Sequence, residues 1–335
     1  MTMIRSLAAP AHCNENPEFV LRRNLPQDKL EVAYAEGDLL WIDVVDPSGD
    51  EIDWIGRFFN FSPSVMEDLY RADRRPTLLA YPAYVFLSLF EPQIAQHKVE
   101  GREIHCVIGE RYLITVRSSA AKSIDAAYDR AAKDNTIWAR GLEYFLYLAC
   151  QYTIDSYYPL LDRMSNQLNH LEEEMIGVRE GKATRDPRQM VYYIKQQLIH
   201  LRGMIAPQRE VLSNLLGETR LDDEEIRDLF RHLYERLLRV YDLIDAQRDL
   251  SSDVLDIMEN QQTRRMVDAV NRLTIFSMIF LPLTFLASLF ELDFITTAEP
   301  FELPVSGSVL SMVVVGMMLI SAGSMYWMFR RRGWL

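Results

Sequence analysis

The stretch from Leu273 to Phe290, LTIFSMIFLPLTFLASLF, decides how this chain is read. It carries no charged residue and a single proline, Pro282. A second uncharged run, Val305 to Phe329, follows a short loop and ends in Arg330, Arg331 and Arg332. A run of about 18 apolar residues is long enough to cross the roughly 30 Å hydrocarbon core of a bilayer. Two such runs predict a helical hairpin in lipid, with spans at about 272–290 and 307–329.

Charge sets the orientation. The loop Glu291 to Pro304 holds Glu291, Asp293, Glu299 and Glu302 and no Lys or Arg. Arg264, Arg265 and Arg272 precede the first run, and the Arg330–Arg332 cluster follows the second. The positive-inside rule then predicts a multi-pass protein of the cell inner membrane, with both termini cytoplasmic and the acidic loop outside. Tyr326, Trp327 and Trp334 sit where interfacial aromatics are expected.

Composition narrows the classes. A mean hydropathy of -0.10 over 335 residues is too polar for a polytopic protein and suits a soluble body on two spans. The net charge of -12 argues against a nucleic-acid partner and for attraction of cations. Cys13, Cys106 and Cys150 are odd in number and far apart, so neither a disulfide framework nor a zinc motif is indicated. The N-terminal MTMIRSLAAPAHC has too short an apolar run for a secretory signal, which leaves insertion to the C-terminal spans. GxxxxGK, GxSxG and HExxH patterns are absent, so the chain reads as no enzyme and has no nucleotide partner to drive transport.

Upstream of the spans two textures alternate. Residues 1–140 read as a cytoplasmic α/β domain. Residues 1 to about 30 lack periodicity and read as a loose lead-in. LLWIDVVDP (39–47) predicts a buried strand closed by a turn at Asp46-Pro47, and GDEIDWIGRFFN (49–60) a short amphipathic helix. Ser62 and Pro63 make an N-cap and first helical position. Residues 77–92 and 105–119 are strand-rich, with a hairpin turn at Gly109-Glu110, and Ala120 to Asp134 is helical.

Residues 141–270 read as a helical domain and a long stalk helix, and 271–335 as the transmembrane hairpin. Leu142 to Met175 and Arg188 to Leu216 are helical, separated by a turn at Gly177 to Pro187. Asp222 or Asp223 caps the next helix, which meets no Gly or Pro until Pro282. Ile226, Leu229, Leu233, Leu237, Val240, Ile244, Val254 and Ile257 recur at helical spacing. Continuous to Phe290, this helix would be on the order of 100 Å long at about 1.5 Å per residue. So long a helix needs neighbours, which predicts an oligomer; the other reading is two helices broken near Asn260-Gln261. The fold class is α+β.

This order of parts resembles the CorA family of divalent cation transporters. The local text agrees: Glu67-Asp68 followed by Arg75-Pro76, IGERYLITVR (108–117), IDSYYPL (154–160), Arg248-Asp249, IFLPLTFLASLF (279–290) and the terminal RRRGWL (330–335). The resemblance covers nearly the whole chain and implies a homopentamer. It departs at one place. The family closes its first span with Tyr-Gly-Met-Asn, where this chain has Phe290, Glu291, Leu292 and Asp293. That departure points to a branch without the Gly-Met-Asn tripeptide, ZntB-like or CmaX-like.

Candidate site residues follow from periodicity combined with that resemblance. Val267, Val270, Leu273, Ser277, Leu281, Thr284 and Ser288 fall at spacings of three and four and would line a pentameric axis. Val267 to Leu273 would form apolar rings, and the hydroxyls would meet water or a hydrated ion. Small polar residues also permit close helix packing in lipid, which is the competing reading. Glu291 and Asp293 would form a carboxylate ring at the outer mouth, or else are solvated charges at a helix end. The family's regulatory ion site matches Asp68 and His232, a borderline donor pair suited to Zn²⁺, Ni²⁺ or Co²⁺.

The expected function is transport of divalent metal cations, zinc or magnesium with cobalt and nickel as further candidates, down the electrochemical gradient. The metal is substrate and candidate regulator, with no permanently bound cofactor. The alternative is a non-conducting, membrane-anchored oligomeric sensor or scaffold.

Overall fold

LLWIDVV forms strand β3 (Leu39–Val45) inside a seven-stranded sheet. Its apolar run is continuous rather than alternating because both faces are covered. The computed structural model describes residues 3–11, 13, 19–71, 76–95, 98–175, 186–218, 223–295 and 307–331. On one side of β3 lie β1 (Met3–Ala9) and then β2 (Arg22–Arg23). On the other lie β7 (Tyr112–Arg117), β6 (Lys98–Gly109), β5 (Tyr84–Ala95) and β4 (Leu78–Ala80). β3 and β7 are parallel, and the other neighbours are antiparallel.

The lead-in expected over residues 1 to about 30 is corrected. β1 pairs along the whole of β3, from Met3 opposite Val45 to Ala9 opposite Leu39, and α1 (Gln27–Ala35) packs beside it. Leu7, Ala8 and Ala9 are fully buried. A strand this short, with small residues on both faces, has no visible period; its partner defines it.

Helices α1, α2 (Gly49–Phe58) and α3 (Pro63–Tyr70) share one core with the sheet, packing around Leu40, Ile42 and Val44. Ser48 and Glu51 form a reciprocal capping box on α2, and Ser62 with Pro63 opens α3 as expected. Successive side chains of a strand point to opposite faces. Trp41 therefore faces the other layer, against Tyr128 of α4 (Lys122–Lys133) and Phe145 of α5 (Leu142–Asp155).

Asp43 sits on that second face, fully buried. It accepts hydrogen bonds from Arg5 (2.6 and 3.0 Å), Arg117 (2.8 and 3.2 Å) and Thr115 (2.7 Å). Arg5 and Thr115 are its register partners on β1 and β7, so the network ties three adjacent strands. Both guanidinium groups also reach Asp125 of α4, at 2.8 and 2.7 Å. Burial pushes the Asp125 carboxyl up, but Arg117 and Arg5 outweigh it and hold the group below its ordinary range.

The helical run Leu142 to Met175 is two helices, α5 and α6 (Tyr157–Met175). Pro159 explains the break: its ring excludes the carbonyl of Asp155 from a continuous helix, whereas a first-turn proline is tolerated. α7 (Pro187–Leu216) continues through Pro207. The turn expected at Gly177 to Pro187 falls mostly in 176–185, and Asp222 in 219–222, outside the described residues.

α8 (Glu224–Ile295) spans 72 residues without the alternative break near Asn260-Gln261, and the Asp223 carboxylate accepts the Glu225 N–H at its start. Its buried seam is a heptad: Ile226, Phe230, Leu233, Leu237, Val240, Ile244, Gln247, Ser251 and Val254. Phe230 takes the place expected for Leu229, and two seam positions are polar. Gln247 donates to the Leu161 carbonyl and Ser251 to the Gln247 carbonyl, which satisfies their donors inside the seam. Arg236–Asp155, Lys195–Ser252 and Arg202–Asp245 fasten this part of α8 to α5 and α7. α9 (Gly307–Arg331) follows. The chain divides into two compact units, Met1–Leu255 and Asp256–Leu335, and α8 contributes to both.

Two predictions come from the sheet unit. Asp43→Asn leaves two inward guanidinium groups short of a counter-charge, and the full chain should lose about 3–5 kcal/mol, read as a lower denaturation midpoint in detergent. His105 is buried, and desolvation lowers its pKa to about 4, so its 3.7 Å approach to Glu103 is a contact of a neutral imidazole. The unfolded chain binds this proton first, so stability is complete above the ordinary His value and falls as pH drops from about 6.5 towards 4. His105→Gln should remove that part of the acid slope of the melting temperature, worth up to about 3 kcal/mol.

Candidate functional site

The seven stripe residues all lie on α8 beyond its heptad seam: Val267, Val270, Leu273, Ser277, Leu281, Thr284 and Ser288. All seven are exposed in the single chain. So are apolar residues off the stripe: Leu273 is 67% and Leu281 71% exposed, against 63% for Phe276 and 45% for Met278. Burial in one chain therefore singles out no face. Ile275 is the contrast, buried at 5%. This part of α8 contains a window apolar and long enough to cross a membrane, by length and composition.

The hydroxyls of the stripe have a defined polarity. Ser277 Oγ donates to the Leu273 carbonyl (3.0 Å), and Thr284 Oγ1 donates to the carbonyls of Phe280 (2.8 Å) and Leu281 (3.0 Å). A hydroxyl whose proton is spent on its own helix keeps lone pairs for an outside partner. Each such oxygen accepts from water or faces a cation. Thr284 also lies two residues past Pro282, where the ladder lacks one N–H donor, and its bond back to the backbone helps keep the helix continuous there.

Glu291 and Asp293 belong to the last turns of α8, which ends at Ile295, and their side chains fall outside the described residues. A helix C-terminus carries a partial negative charge. Acidic residues there repel the carbonyl end, and the last turn holds no basic side chain to offset them.

Asp68 lies on α3 and is buried, with Glu67 beside it bonded to Arg71 at 2.8 Å. His232 lies on α8, 74% exposed at its side chain, with Nδ1 3.6 Å from Glu235. Among the described residues no group of three or more His, Cys, Asp or Glu side chains is placed to hold a metal ion.

Sequence reasoning passed over two features. The Arg5–Asp43–Arg117–Asp125 network was hidden because Arg5 lies in the supposed lead-in; charged residues inside strand text were the available signal. A cleft of about 720 Å³ between the sheet and α4 and α6 had no linear signature at all.

A sequence profile of the family described as CorA-like Mg2+ transporter protein matches residues 36–331. The chain belongs to the CorA family. Among relatives, it is 27% identical over 280 residues to the putative metal ion transporter YfjQ of Bacillus subtilis, covering 83% of this chain and 85% of that one. It is 26% identical over 293 residues to the cobalt/magnesium transport protein CorA of Thermotoga maritima, covering 85% and 80%. The zinc transport protein ZntB of Klebsiella pneumoniae is 23% identical over 304 residues, with 88% of both chains covered. The complete CorA magnesium transporter of Methanocaldococcus jannaschii superposes with a TM-score of 0.78 at 17% identity, over 98% of both chains. The full-length CmaX protein superposes with a TM-score of 0.71 at 19% identity, over 98% of this chain and 97% of that one. The CorA fold is thereby established for the soluble α/β region and the long helix, and the ZntB similarity agrees with the branch that the absent Gly-Met-Asn tripeptide indicated.

Proposed function

We propose that this CorA-family chain conducts divalent metal cations through a homopentameric pore in the inner membrane, down the electrochemical gradient. Two spans, the C-terminal part of α8 and α9, would anchor it with both termini cytoplasmic. The observation that carries the reading is the α8 stripe, whose Ser277 and Thr284 hydroxyls spend their protons on their own helix and keep oxygen lone pairs for an outside partner. Relatives named as magnesium, cobalt and zinc transport proteins support the class of cargo.

In this reading Val267, Val270 and Leu273 form apolar rings at the inner end, and Ser277, Thr284 and Ser288 exchange contacts with the water shell of the ion. Glu291 and Asp293 replace the usual tripeptide with carboxylates at the negative end of α8, so helix end and side chains attract a cation together. A ring of hydrated carboxylates discriminates weakly among divalent ions, which fits Zn²⁺, Mg²⁺, Co²⁺ and Ni²⁺ alike. A potential negative inside adds roughly 2.3 kcal/mol per charge per 100 mV, enough to draw a divalent ion inward. Asp68 and the His232 of a neighbouring protomer are the proposed regulatory pair.

The test is flux. Purified protein in liposomes loaded with a metal-sensitive dye should admit Zn²⁺ or Mg²⁺, and Glu291→Gln with Asp293→Asn should slow entry about tenfold or more. Entry unchanged in the double variant would remove the mouth assignment. No entry of any of the four ions would favour the sensor or scaffold alternative.

A further inference from the structure

Around the start of the apolar window of α8 and the end of α9 the charge of the chain reverses. Residues 260–272 and 326–331 hold Arg264, Arg265, Arg272, Arg330 and Arg331 against one carboxylate, Asp268, in a chain whose net charge is -12. All six of these residues are exposed. Among the described residues, Arg264, Arg265, Arg272 and Arg330 find no ion pair or hydrogen-bond partner, and Asp268, one turn from both Arg265 and Arg272, pairs with neither. Arginines of the first unit end instead on carboxylates: Arg5 and Arg117 on Asp43, Arg202 on Asp245, Arg236 on Asp155.

Helix geometry brings three of these cations to one groove. Beyond Met258, Ile275 on α8 and Phe329 on α9 are the only buried side chains among the described residues of the second unit, at 5% and 2% exposure. Ile279, Pro282 and Leu283 on α8 are half-buried, as are Met318, Ala322 and Met325 on α9. Each set runs at spacings of three and four, the pattern of two helices lying antiparallel along one another. Ile275 and Phe329 stand at one level, about 30 and 33 Å from the helix ends that the connecting residues join, at about 1.5 Å per residue. Arg272 lies one turn before Ile275 and Arg330 directly follows Phe329, so both leave the hairpin near that level. At about 100° per residue, Arg265 and Arg272 share one side of α8, and Arg330 flanks the same edge of the hairpin. Arg331 turns away, 5.3 Å over the Trp327 ring.

A groove edged by three unpaired guanidinium groups and floored by apolar side chains suits a ligand with an anionic head and an apolar tail. Guanidinium groups bind phosphate oxygens through paired hydrogen bonds, and Lys and Arg clusters beside a span attract anionic headgroups. A zwitterionic headgroup would bring a fourth cation to the same place. We propose that Arg265, Arg272 and Arg330 hold the phosphodiester of an anionic phospholipid of the inner leaflet, with its acyl chains along the groove between α8 and α9. This rests on the membrane reading of those two helices given above. Leu273, next to Arg272, belongs to the proposed apolar rings, so the headgroup ties α8 to α9 at the level of the constriction.

The test is lipid retention by the full chain, purified in detergent and incubated with equal amounts of phosphatidylglycerol and phosphatidylcholine, read by native mass spectrometry. Phosphatidylglycerol should be retained at least tenfold over phosphatidylcholine. Arg265→Gln with Arg272→Gln and Arg330→Gln should bring the ratio near one with the melting temperature unchanged. Lys98→Gln with Lys122→Gln and Arg239→Gln removes three exposed cations of the first unit and should leave the ratio as it was. Equal retention of the two lipids, or undiminished preference in the arginine variant, would overturn the proposal. So would displacement of the lipid by millimolar glycerol phosphate, which marks a simple anion site. An arginine variant that falls apart to single chains would assign these residues to a contact between copies and overturn it as well. Flotation with phosphatidylcholine vesicles checks the membrane reading separately: protein that floats without preferring phosphatidylglycerol fails this proposal alone, and protein that does not float fails both.

Discussion

An apolar helix survives in a bilayer because all its backbone hydrogen bonds are internal, and under the proposed function the C-terminal part of α8 depends on that constraint. No glycine or proline interrupts it before Pro282, and there Thr284 turns its hydroxyl back onto the backbone. The same helix serves two environments. Up to Val254 a heptad seam of buried side chains holds it against α5, α6 and α7. Beyond Met258 most of its described apolar side chains are uncovered in the single chain, Ile275 excepted. Large uncovered apolar surface must be met by lipid or by protein. The proposed membrane-spanning oligomer would supply both.

The polar members of the two regions follow opposite rules. Gln247 and Ser251 sit inside the seam and donate to carbonyls, while Gln247 Oε1 is left buried without a hydrogen-bond partner. Ser277 and Thr284 spend their protons on their own helix and leave oxygens outward, where a symmetric ring of copies would face water. The sheet unit meets the burial problem in a third way, by surrounding Asp43 with three donors on adjacent strands.

Much of this was legible in the sequence for a physical reason. The long helix, strand β3, the cap at Ser62 and the hairpin at Gly109-Glu110 each depend on local pattern, and local pattern is what a sequence displays. β1 was missed because its definition is a pairing with β3 rather than a period of its own. The break at Ser156 was missed because the apolar spacing runs through it, although Pro159 marked it. Of the candidate site, the stripe was readable as spacing along one helix. The cleft was not, since Glu91, Lys122 and Arg163 are 31 and 41 residues apart and meet only through the sheet.

The central claim is that one face of α8 meets water while its neighbours meet lipid, and thiol labelling from the aqueous phase tests it directly. The native Cys13, Cys106 and Cys150 are buried, so background labelling is low. In protein reconstituted in bilayers, Ser277→Cys and Thr284→Cys should react with a membrane-impermeant thiol reagent, and Phe276→Cys and Ile279→Cys should not. Equal reaction at all four positions, or reaction at Phe276→Cys and Ile279→Cys alone, would contradict the account.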